Sequence, residues 1–345
     1  MRVLVLSHAD VLAALPPQAC EQAMAAVLAA HGNGETFMPL RSVMAPPGAA
    51  GFMGLMPAWR GRPGGSGQRG GEAGPPPDGA AAAFALKTVC IIPANPARGL
   101  DAHQGLVTLF DAENGQPTAI MDASAITAVR TAAVSAVATR ALASPGARTL
   151  AILGAGTQAR AHLTALARVR DFDRVLVYAP TAQHAEAVAG QAAGQGWQAA
   201  AAPSAQAAVQ DADVVVTATS AREPVLQRAW LKPGAHVNAV GASTPRNREI
   251  DTATVAASAL YCDSRESLRS EAGEFALAIA EGLIDGDRHV RGELGEVLAG
   301  TAPGRRDEDE LTMFRSLGLA VEDLAAAQTA VATARARGLG TEVEL

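Results

Sequence analysis

The sequence predicts an α/β protein that combines a Rossmann-type, doubly wound parallel sheet with an α+β domain whose sheet is mostly antiparallel. The first observation is that short apolar runs alternate with helical patterns from residue 148 onward, at 148–153, 174–179, 197–201, 213–218, 236–240 and 259–263. This alternation is typical of βαβ units. The second is a glycine turn, Gly154-Ala155-Gly156, directly after the first of these runs. The third is Asn114-Gly115 between two earlier apolar runs, a strong hairpin signal that favours antiparallel strands before residue 148.

The elements of the first region follow from caps and apolar runs. Residues 2–6 predict a strand, and Ser7 with Asp10 predicts a capping box that opens a short helix. Pro16 and Pro17 open a longer helix to about residue 30. Strand-like segments follow around 37–44, 51–58, 84–92, 106–110 and 117–121, and helical patterns cover 123–143 and 317–337. Residues 61–79 are mostly Gly and Pro, which predicts a surface loop or insertion.

Composition excludes several classes of protein. The chain has 345 residues, a net charge of −6 and 3% aromatic residues, without a basic stripe, so a nucleic-acid partner is not expected. Cys20, Cys90 and Cys262 are far apart, which indicates a reducing compartment and neither a disulfide framework nor a metal site. Cys90 lies in an apolar run and is predicted to be in the core. No apolar run approaches the roughly 18 residues of a membrane span, so we expect a cytoplasmic protein and no membrane partner.

The glycine turn carries the cofactor prediction. Gly154 permits the tight turn, Gly156 lets a backbone N–H approach a pyrophosphate, and Ala159 is the third small residue, where helix and strand pack closely. A plain strand–turn–helix is the alternative. The dinucleotide contacts predicted for the whole chain are Gly154, Ala155, Gly156, Thr157, Gln158, Thr181, Thr217, Ala218, Thr219, Val240 and Gly241.

Four polar residues outside that turn are candidates for chemistry. Lys87 lies in an apolar strand pattern, so it either points to solvent or is a functional cation. Arg130 lies in the Ala-rich helix and either faces solvent or binds a carboxylate or pyrophosphate; Arg41 has the same two interpretations. His103 stands in a polar segment predicted as a loop, and histidine suits proton transfer near neutral pH.

The chain resembles the ornithine cyclodeaminase/mu-crystallin family along nearly its whole length. The matching stretches are Leu-Met-Pro-Ala at 55–58, Asn-Pro-Ala-Arg-Gly-Leu at 95–100, His-Gln-Gly-Leu-Val at 103–107, Ile-Thr-Ala-Val-Arg-Thr-Ala-Ala at 126–133, the glycine turn, His-Val-Asn-Ala-Val-Gly-Ala-Ser at 236–243, Arg-Glu-Ile-Asp at 248–251, Gly-Glu-Leu-Gly-Glu-Val at 292–297 and Ser-Leu-Gly-Leu-Ala-Val-Glu-Asp at 316–323. The resemblance implies a homodimer. It also implies a substrate-binding and dimerisation domain at 1–127, completed by a C-terminal helix at 318–345, and an NAD(P)-binding Rossmann domain at 128–317.

The resemblance also assigns roles to single residues. Arg41, Lys87 and Arg130 fall where family members hold the substrate carboxylate, facing the nicotinamide. Leu317 and Gly318 correspond to the backbone that closes over substrate and cofactor. In the same comparison His103 is placed near the substrate as a proton donor or orienting group.

Two positions bear on the reaction. Family members that cyclise ornithine carry a glutamate and an aspartate where this chain has Gly54 and Ser243. A neutral serine is a poor base, which disfavours ornithine cyclisation. Imine reduction needs mainly positioning and electrostatics, so Ser243 is compatible with it and is predicted to lie in the catalytic site. We therefore expect an NAD(P)H-dependent ketimine reductase that converts Δ1-pyrroline-2-carboxylate or Δ1-piperideine-2-carboxylate into L-proline or L-pipecolate. The alternatives are ornithine cyclodeamination, an alanine dehydrogenase-like activity and a non-catalytic ligand-binding dimer.

The second strand of the parallel sheet bears on the choice of cofactor. It ends in Ala179-Pro180-Thr181, without the acidic residue that would bind the ribose 2′-hydroxyl of NAD. Thr181 can donate to a 2′-phosphate, although Pro180 replaces an arginine that NADP-using relatives carry. NADPH is the expected cofactor, with some use of NADH.

Overall fold

The computed structural model describes residues 1–61, 81–241 and 243–345; most of the predicted loop at 61–79 therefore lies outside the described residues. The chain forms two compact units. Unit 1 comprises Met1–Arg130 together with Gly318–Leu345, and unit 2 comprises Thr131–Leu317.

The N-terminal part of unit 1 alternates short helices with long strands. It contains β1 (Arg2–Leu6), α1 (His8–Ala14), α2 (Pro17–Gly32), β2 (Thr36–Phe37), β3 (Ser42–Met44), β4 (Phe52–Arg60), β5 (Ala83–Ile91), β6 (His103–Asp111) and β7 (Pro117–Asp122), with a 3-10 turn at Asn95–Arg98. Helix α3 (Ala123–Leu142) then continues into unit 2. The predicted capping box is confirmed, because the Ser7 hydroxyl accepts the Asp10 N–H and the Asp10 carboxylate accepts the Ser7 N–H at 3.0 Å.

Unit 2 shows the predicted alternation of strands and helices. Its elements are β8 (Thr149–Leu153), α4 (Thr157–Leu166), β9 (Arg174–Tyr178), α5 (Ala182–Ala193), β10 (Gln198–Ala201), α6 (Ala205–Val209), β11 (Val214–Thr217), β12 (His236–Ala239), α7 (Thr252–Ala257), β13 (Ala259–Cys262), α8 (Arg265–Glu271), α9 (Gly273–Ala280), β14 (Val290–Glu293), α10 (Leu294–Leu298) and β15 (Thr312–Arg315), with 3-10 turns at Arg228–Trp230 and Gly286–His289. The sequence pattern missed β14 and β15, because both are short and carry charged residues rather than an apolar run.

The chain then returns to unit 1 with α11 (Ala320–Arg337) and β16 (Thr341–Glu344). The prediction of one helix over 318–345 is therefore wrong for the last residues. Strand β16 pairs antiparallel with β1, so these residues extend the sheet of unit 1.

The sheet of unit 1 has the strand order β16-β1-β7-β6-β5-β4-β2, and β3 also pairs with β4. Its pairs are antiparallel except for β1 with β7. Side chains alternate in β5, where Ala83, Ala85, Lys87 and Val89 are buried. Helix α11 packs on this face of β4, β5 and β6.

The sheet of unit 2 is parallel throughout, in the order β10-β9-β8-β11-β12-β15-β13-β14. Apolar side chains cover both faces: Leu150 and Ile152 lie in one core cluster, and Ala151 and Leu153 lie in the other. Burial on both faces is typical of a doubly wound fold, and ligands bind such sheets beyond the carboxyl ends of the strands. The predicted fold class is confirmed.

Helix α3 is long and apolar enough to cross a membrane by length and composition, with a mean hydropathy of 1.2 over an 18-residue stretch. The expectation that no apolar run approaches a membrane span is therefore wrong for this segment. However, 78% of that stretch is buried inside the protein, which is typical of a core helix. Arginines bind the carbonyls at its C-terminal end: Arg170 donates to Ala143 at 2.9 Å, and Arg305 donates to Leu142 at 2.7 Å.

The three cysteines are all free thiols. Cys20 and Cys262 are buried, whereas Cys90 is only half-buried. The prediction that Cys90 belongs to the core is wrong, because its side chain lies on the face of β5 opposite the buried Val89 and Lys87.

Candidate active site

The predicted glycine turn of unit 2 has the shape that a pyrophosphate needs. Gly154 has a φ of +121°, and an added Cβ would come within 2.3 Å of the Ala218 carbonyl oxygen, so only glycine fits there. Gly156 is the N-cap of α4, and an added Cβ there would meet nothing within 4 Å. Because no side chain caps this helix, its N-terminus offers backbone N–H groups to an anion. Ala159 is buried against the sheet, as predicted.

Two loops at the carboxyl edge of the same sheet form a wall beside this turn. They follow β11 and β12, neighbouring strands in which Thr217 pairs with Ala239. The Val240 N–H donates to the Thr217 carbonyl at 3.0 Å. At Gly241 an added Cβ would lie 2.2 Å from the Thr219 carbonyl oxygen. The structure thus brings the predicted cofactor residues of these loops together, with Ala218 against the glycine turn.

Thr181 and Ser243 follow strands β9 and β12 of unit 2. Thr181 follows β9 and is the N-cap of α5, but its side chain does not cap that helix, and it is exposed. Ser243 follows β12 and is half-buried. Within the described residues, no group of three His, Cys, Asp or Glu side chains is placed to hold a metal ion.

Unit 1 gathers the predicted cations at the N-terminus of α11. The Lys87 Nζ lies 2.6 Å from Asp323 Oδ2, and the Arg130 Nε donates to Asp323 Oδ1 at 3.0 Å. Arg130 also donates through Nη1 to Glu322 Oε2 at 2.7 Å. Arg41 Nη2 donates to the Gly318 carbonyl at 2.9 Å. Lys87 is 3% exposed and Arg130 is 4% exposed, so the solvent-facing interpretations of both residues are wrong.

Burial and neighbouring charges set the ionisation of this cation cluster, by which we mean Arg41, Lys87 and Arg130. Burial, with smaller contributions from Arg130 and Arg41, lowers the pKa of Lys87 to about 8, although Asp323 opposes the shift. Burial alone would raise the pKa of the Asp323 carboxyl, but Lys87 and Arg130 outweigh it and hold that pKa below its usual value. Lys87 therefore carries its positive charge at neutral pH and loses it in mildly alkaline solution.

The Leu317–Gly318 pair is fixed on both sides. Gly318 has a φ of +80°, and an added Cβ would lie 2.8 Å from Nη1 and Nη2 of Arg130. In unit 1 its carbonyl accepts the bond from Arg41. In unit 2 the Leu317 N–H donates to the buried Asp263 carboxylate at 2.6 Å. A side chain at position 318 would strain the backbone and displace the Arg130 guanidinium.

The sequence predicted a loop at His103. That prediction is wrong, because His103 begins strand β6. Its backbone N–H donates to Asp101 at 2.8 Å, and its ring Nδ1 lies 3.8 Å from the same carboxylate. His103 pairs with Ile91, whereas Lys87 pairs with Val107, four residues further along β6. At about 3.4 Å per residue this is roughly 13 Å. The structure therefore does not place His103 beside Lys87.

A sequence profile of the ornithine cyclodeaminase/mu-crystallin family matches residues 1–337. The chain belongs to this family. The ketimine reductase mu-crystallin of Mus musculus is 38% identical over 296 residues, which are 86% of this chain and 85% of that protein. The alanine dehydrogenase of Archaeoglobus fulgidus is 34% identical over 259 residues, which are 75% of this chain and 79% of its own length.

Solved structures of ornithine cyclodeaminase/mu-crystallin proteins have the same fold. The Δ1-pyrroline-2-carboxylate reductase of Thermococcus litoralis, in complex with NADH and L-proline, superposes with a TM-score of 0.90 and 33% sequence identity. That similarity covers 99% of this chain and 100% of the other.

Three buried carboxylates in this ornithine cyclodeaminase/mu-crystallin protein escaped the site prediction from sequence. Glu322 and Asp323 bind the cations of unit 1, and Glu249 binds the loops of unit 2. No local pattern distinguishes them from solvated acids, because most of their partners are distant in sequence: Thr217 is 32 residues from Glu249, and Arg130 is 193 residues from Asp323. The only sequence signal was their presence in the matching stretches at 248–251 and 316–323.

Proposed function

We propose that this protein is an NAD(P)H-dependent reductase of cyclic ketimine acids, converting Δ1-pyrroline-2-carboxylate, Δ1-piperideine-2-carboxylate or both into L-proline or L-pipecolate. The observation that carries the proposal is the cation cluster, because the buried Lys87 and Arg130 and the half-buried Arg41 together attract a small anionic substrate. A ketimine reductase and a pyrroline-2-carboxylate reductase among the similar proteins support the reaction type.

In this proposal each unit orients one reactant. Arg41, Lys87 and Arg130 bind the carboxylate on C2 of the ring, and this fixes the position of the adjacent C=N bond. The glycine turn of unit 2 holds the pyrophosphate of the dinucleotide on backbone N–H groups. When bound, the reduced nicotinamide supplies a hydride to the imine carbon. Because a protonated imine nitrogen needs no further proton, the protein's main contribution is positioning and charge stabilisation.

Gly54 favours a reductase over a cyclodeaminase. It lies on β4 opposite Val89, and an added Cβ would lie 3.6 Å from Val89 Cγ1, an ordinary van der Waals contact. The backbone therefore tolerates a side chain there, and the missing glutamate is not a steric necessity. With glycine at position 54 and serine at position 243, the chain lacks the two carboxylates that would bind and deprotonate a distal amine.

A substrate panel tests the reaction. We expect NAD(P)H oxidation with both cyclic imines to exceed, by at least tenfold in kcat/KM, ammonia release from ornithine and the ammonia-dependent reduction of pyruvate. Mass spectrometry should identify proline or pipecolate as the product. Ornithine turnover without imine reduction would contradict the proposal. An ammonia-dependent rate with pyruvate would favour the second candidate, an alanine dehydrogenase-like activity, which the 34% identical relative supports.

The end of β9 supports NADPH as the preferred cofactor, with NADH also used. Thr181 is exposed there, its hydroxyl does not cap α5, and Ala179-Pro180 supplies no carboxylate to repel a 2′-phosphate. Comparing kcat/KM for the two cofactors tests this. A Thr181→Val variant should lose rate with NADPH but not with NADH, whereas equal losses would contradict a role in binding the 2′-phosphate.

An apolar sheet face supports a homodimer as part of the proposal. On the side of unit 1 opposite α11, Leu55 and Leu106 flank Thr88, and all three side chains share that face. Phe84 extends the same face, and Phe84 and Leu106 are 45% and 52% exposed. Exposed apolar side chains grouped on one sheet face are typical of a surface that contacts another protein chain.

Sedimentation of a Leu106→Glu variant tests the homodimer. We expect it to shift from dimer to monomer, while Leu12→Glu, at a residue 49% exposed on α1, stays dimeric. A monomeric wild-type protein would contradict the proposal.

A further inference from the structure

Glu249 is a buried carboxylate that joins two loops of unit 2. It is 2% exposed, and its Oε1 accepts the Thr219 N–H at 2.6 Å. Its Oε2 accepts the Thr217 hydroxyl at 2.9 Å and the Gly241 N–H at 2.7 Å. Three donors from two different strand ends therefore converge on one side chain that belongs to neither strand.

The position of this carboxylate connects it to the glycine turn. Thr217 ends β11, and the residue after it, Ala218, is the one whose carbonyl packs against Gly154. Gly241 leaves room for Glu249, because an added Cβ there would lie 2.5 Å from Glu249 Oε1. The carboxylate thus fixes the wall beside the turn without reaching the turn itself.

Burying a carboxylate without a specific partner is costly, so these bonds carry a substantial interaction free energy. Burial raises the pKa of Glu249, while the bonds from Thr219 and the charge of Arg315 oppose that shift. Arg315 in turn pairs with Glu274 and donates to the Ala239 carbonyl at 3.0 Å, at the end of β12. The buried polar network therefore holds the strand ends on which the loops depend.

We infer that Glu249 is a positioning residue for dinucleotide binding, which holds the loops after β11 and β12 in the geometry that receives the cofactor beside the glycine turn. The inference rests on the proposed function for the identity of the ligand. Glu249 acts through Thr219 and Gly241 and does not itself touch the substrate. Its loss should therefore weaken cofactor binding more than it slows the step after binding.

The test compares Glu249→Gln with Asp251→Ala in the full-length protein. The glutamine places an NH₂ group against one of the backbone N–H donors, so we expect the Kd for NADPH, measured by NADPH fluorescence, to rise about tenfold. The KM for NADPH should rise similarly, while kcat at saturating NADPH stays within about threefold. Asp251 accepts the Thr254 N–H as the N-cap of α7, so its alanine variant should lower Tm without changing the Kd.

The possible results are distinct. An unchanged Kd in Glu249→Gln, or a change matched by Asp251→Ala at equal loss of Tm, would overturn the inference. If Glu249→Gln does not fold, Thr217→Val removes only one donor; we then expect a rise of about threefold in Kd, and an unchanged Kd overturns the inference. Failure of the proposed function would look different, because the wild-type protein would then bind no NADPH or would bind it without reducing an imine.

Discussion

At the scale of single residues, the candidate site is a set of buried charges that stabilise one another. Lys87 and Arg130 share the Asp323 carboxylate, and Arg41 binds a backbone carbonyl. Each cation is thereby held in one orientation before any substrate arrives, so little conformational freedom is lost on binding. The cost is that Lys87 has a lowered pKa and is sensitive to pH.

Removal or titration of Lys87 should weaken substrate binding. We expect Lys87→Met to lower kcat/KM for the cyclic imine about hundredfold, since it leaves the substrate carboxylate and Asp323 with one cation fewer. In the wild-type protein kcat/KM should fall as pH rises through about 8, the pKa of Lys87, because only the protonated amine binds the carboxylate. Lys87→Arg should remove this decline, and an unchanged Kd for NADPH serves as the control. A wild-type profile that is flat up to pH 10 would refute the assignment.

Replacement of His103 should matter little. Its pairing position lies four residues along the strand from that of Lys87, roughly 13 Å away, so one small substrate on the cation cluster does not need it. We expect His103→Ala to keep kcat within about threefold of wild type and to leave the pH profile unchanged. A hundredfold loss of kcat with normal stability would restore the sequence-based prediction of a proton donor.

At the scale of elements, strand alternation and register decide which residues share the site. Lys87 is buried because its neighbours on the same face of β5, Ala85 and Val89, are also buried. Gly54 and Met56 lie on the same face of β4, opposite Val89 and Lys87. Helix α11 covers part of this face, and its first turn supplies Glu322 and Asp323. A side chain added at Gly54 would therefore lie diagonally from Lys87.

A carboxylate at position 54 should inhibit imine reduction. Diagonal neighbours in antiparallel strands are about 7–8 Å apart, which a glutamate can bridge to Lys87. We expect Gly54→Glu to lower kcat/KM for the imine at least tenfold, since it competes with the substrate carboxylate for the lysine. Gly54→Gln, of equal size and without charge, is the matched control. Equal losses in both variants would show that volume and not charge is responsible.

At the scale of the whole molecule, composition and alternation predicted the two kinds of sheet because both depend on local apolar patterns. The strands at 148–153, 174–179 and 213–218 were recognisable as apolar runs. Strand β15 was not, although it lies inside the parallel sheet, because it contains Arg315, which is buried in an ion pair with Glu274 and a hydrogen bond to the Ala239 carbonyl. A long-range ion pair of this kind leaves no periodic signal. The same reason explains why Glu249 and Asp323 were missed as site residues and why two interpretations of Lys87 remained open.

Acid should destabilise unit 2 through a buried histidine. His162 on α4 is fully buried and bonded to the Gln158 carbonyl and the Ser135 hydroxyl, and burial lowers its pKa to about 4. In the unfolded chain the same histidine binds a proton below about pH 6.5, whereas in the folded protein it stays neutral down to about pH 4. The protein therefore keeps its full unfolding free energy with respect to this group above pH 6.5 and loses part of it between about 6.5 and 4. We expect His162 alone to lower the unfolding free energy by about 2–3 kcal/mol over this range, and the buried His236, whose pKa burial lowers to about 3, to add to the decline. Denaturant titrations at several pH values should show a shallower decline in His162→Gln, and an identical slope would count against this source.

Three glycines of the candidate site differ in whether the protein itself excludes a side chain, and this difference predicts which substitutions each position tolerates. Gly154 and Gly318 exclude one through backbone conformation and the atoms already present, whereas a Cβ at Gly156 would enter empty space. In a saturation library selected only for folded protein, codons for other residues should therefore survive at position 156 but be depleted at 154 and 318. In the same library, expressed in a strain that needs the reaction product and is supplied only with the imine, all three positions should return to glycine. The contrast between the two selections would map the space reserved for the dinucleotide without a bound ligand.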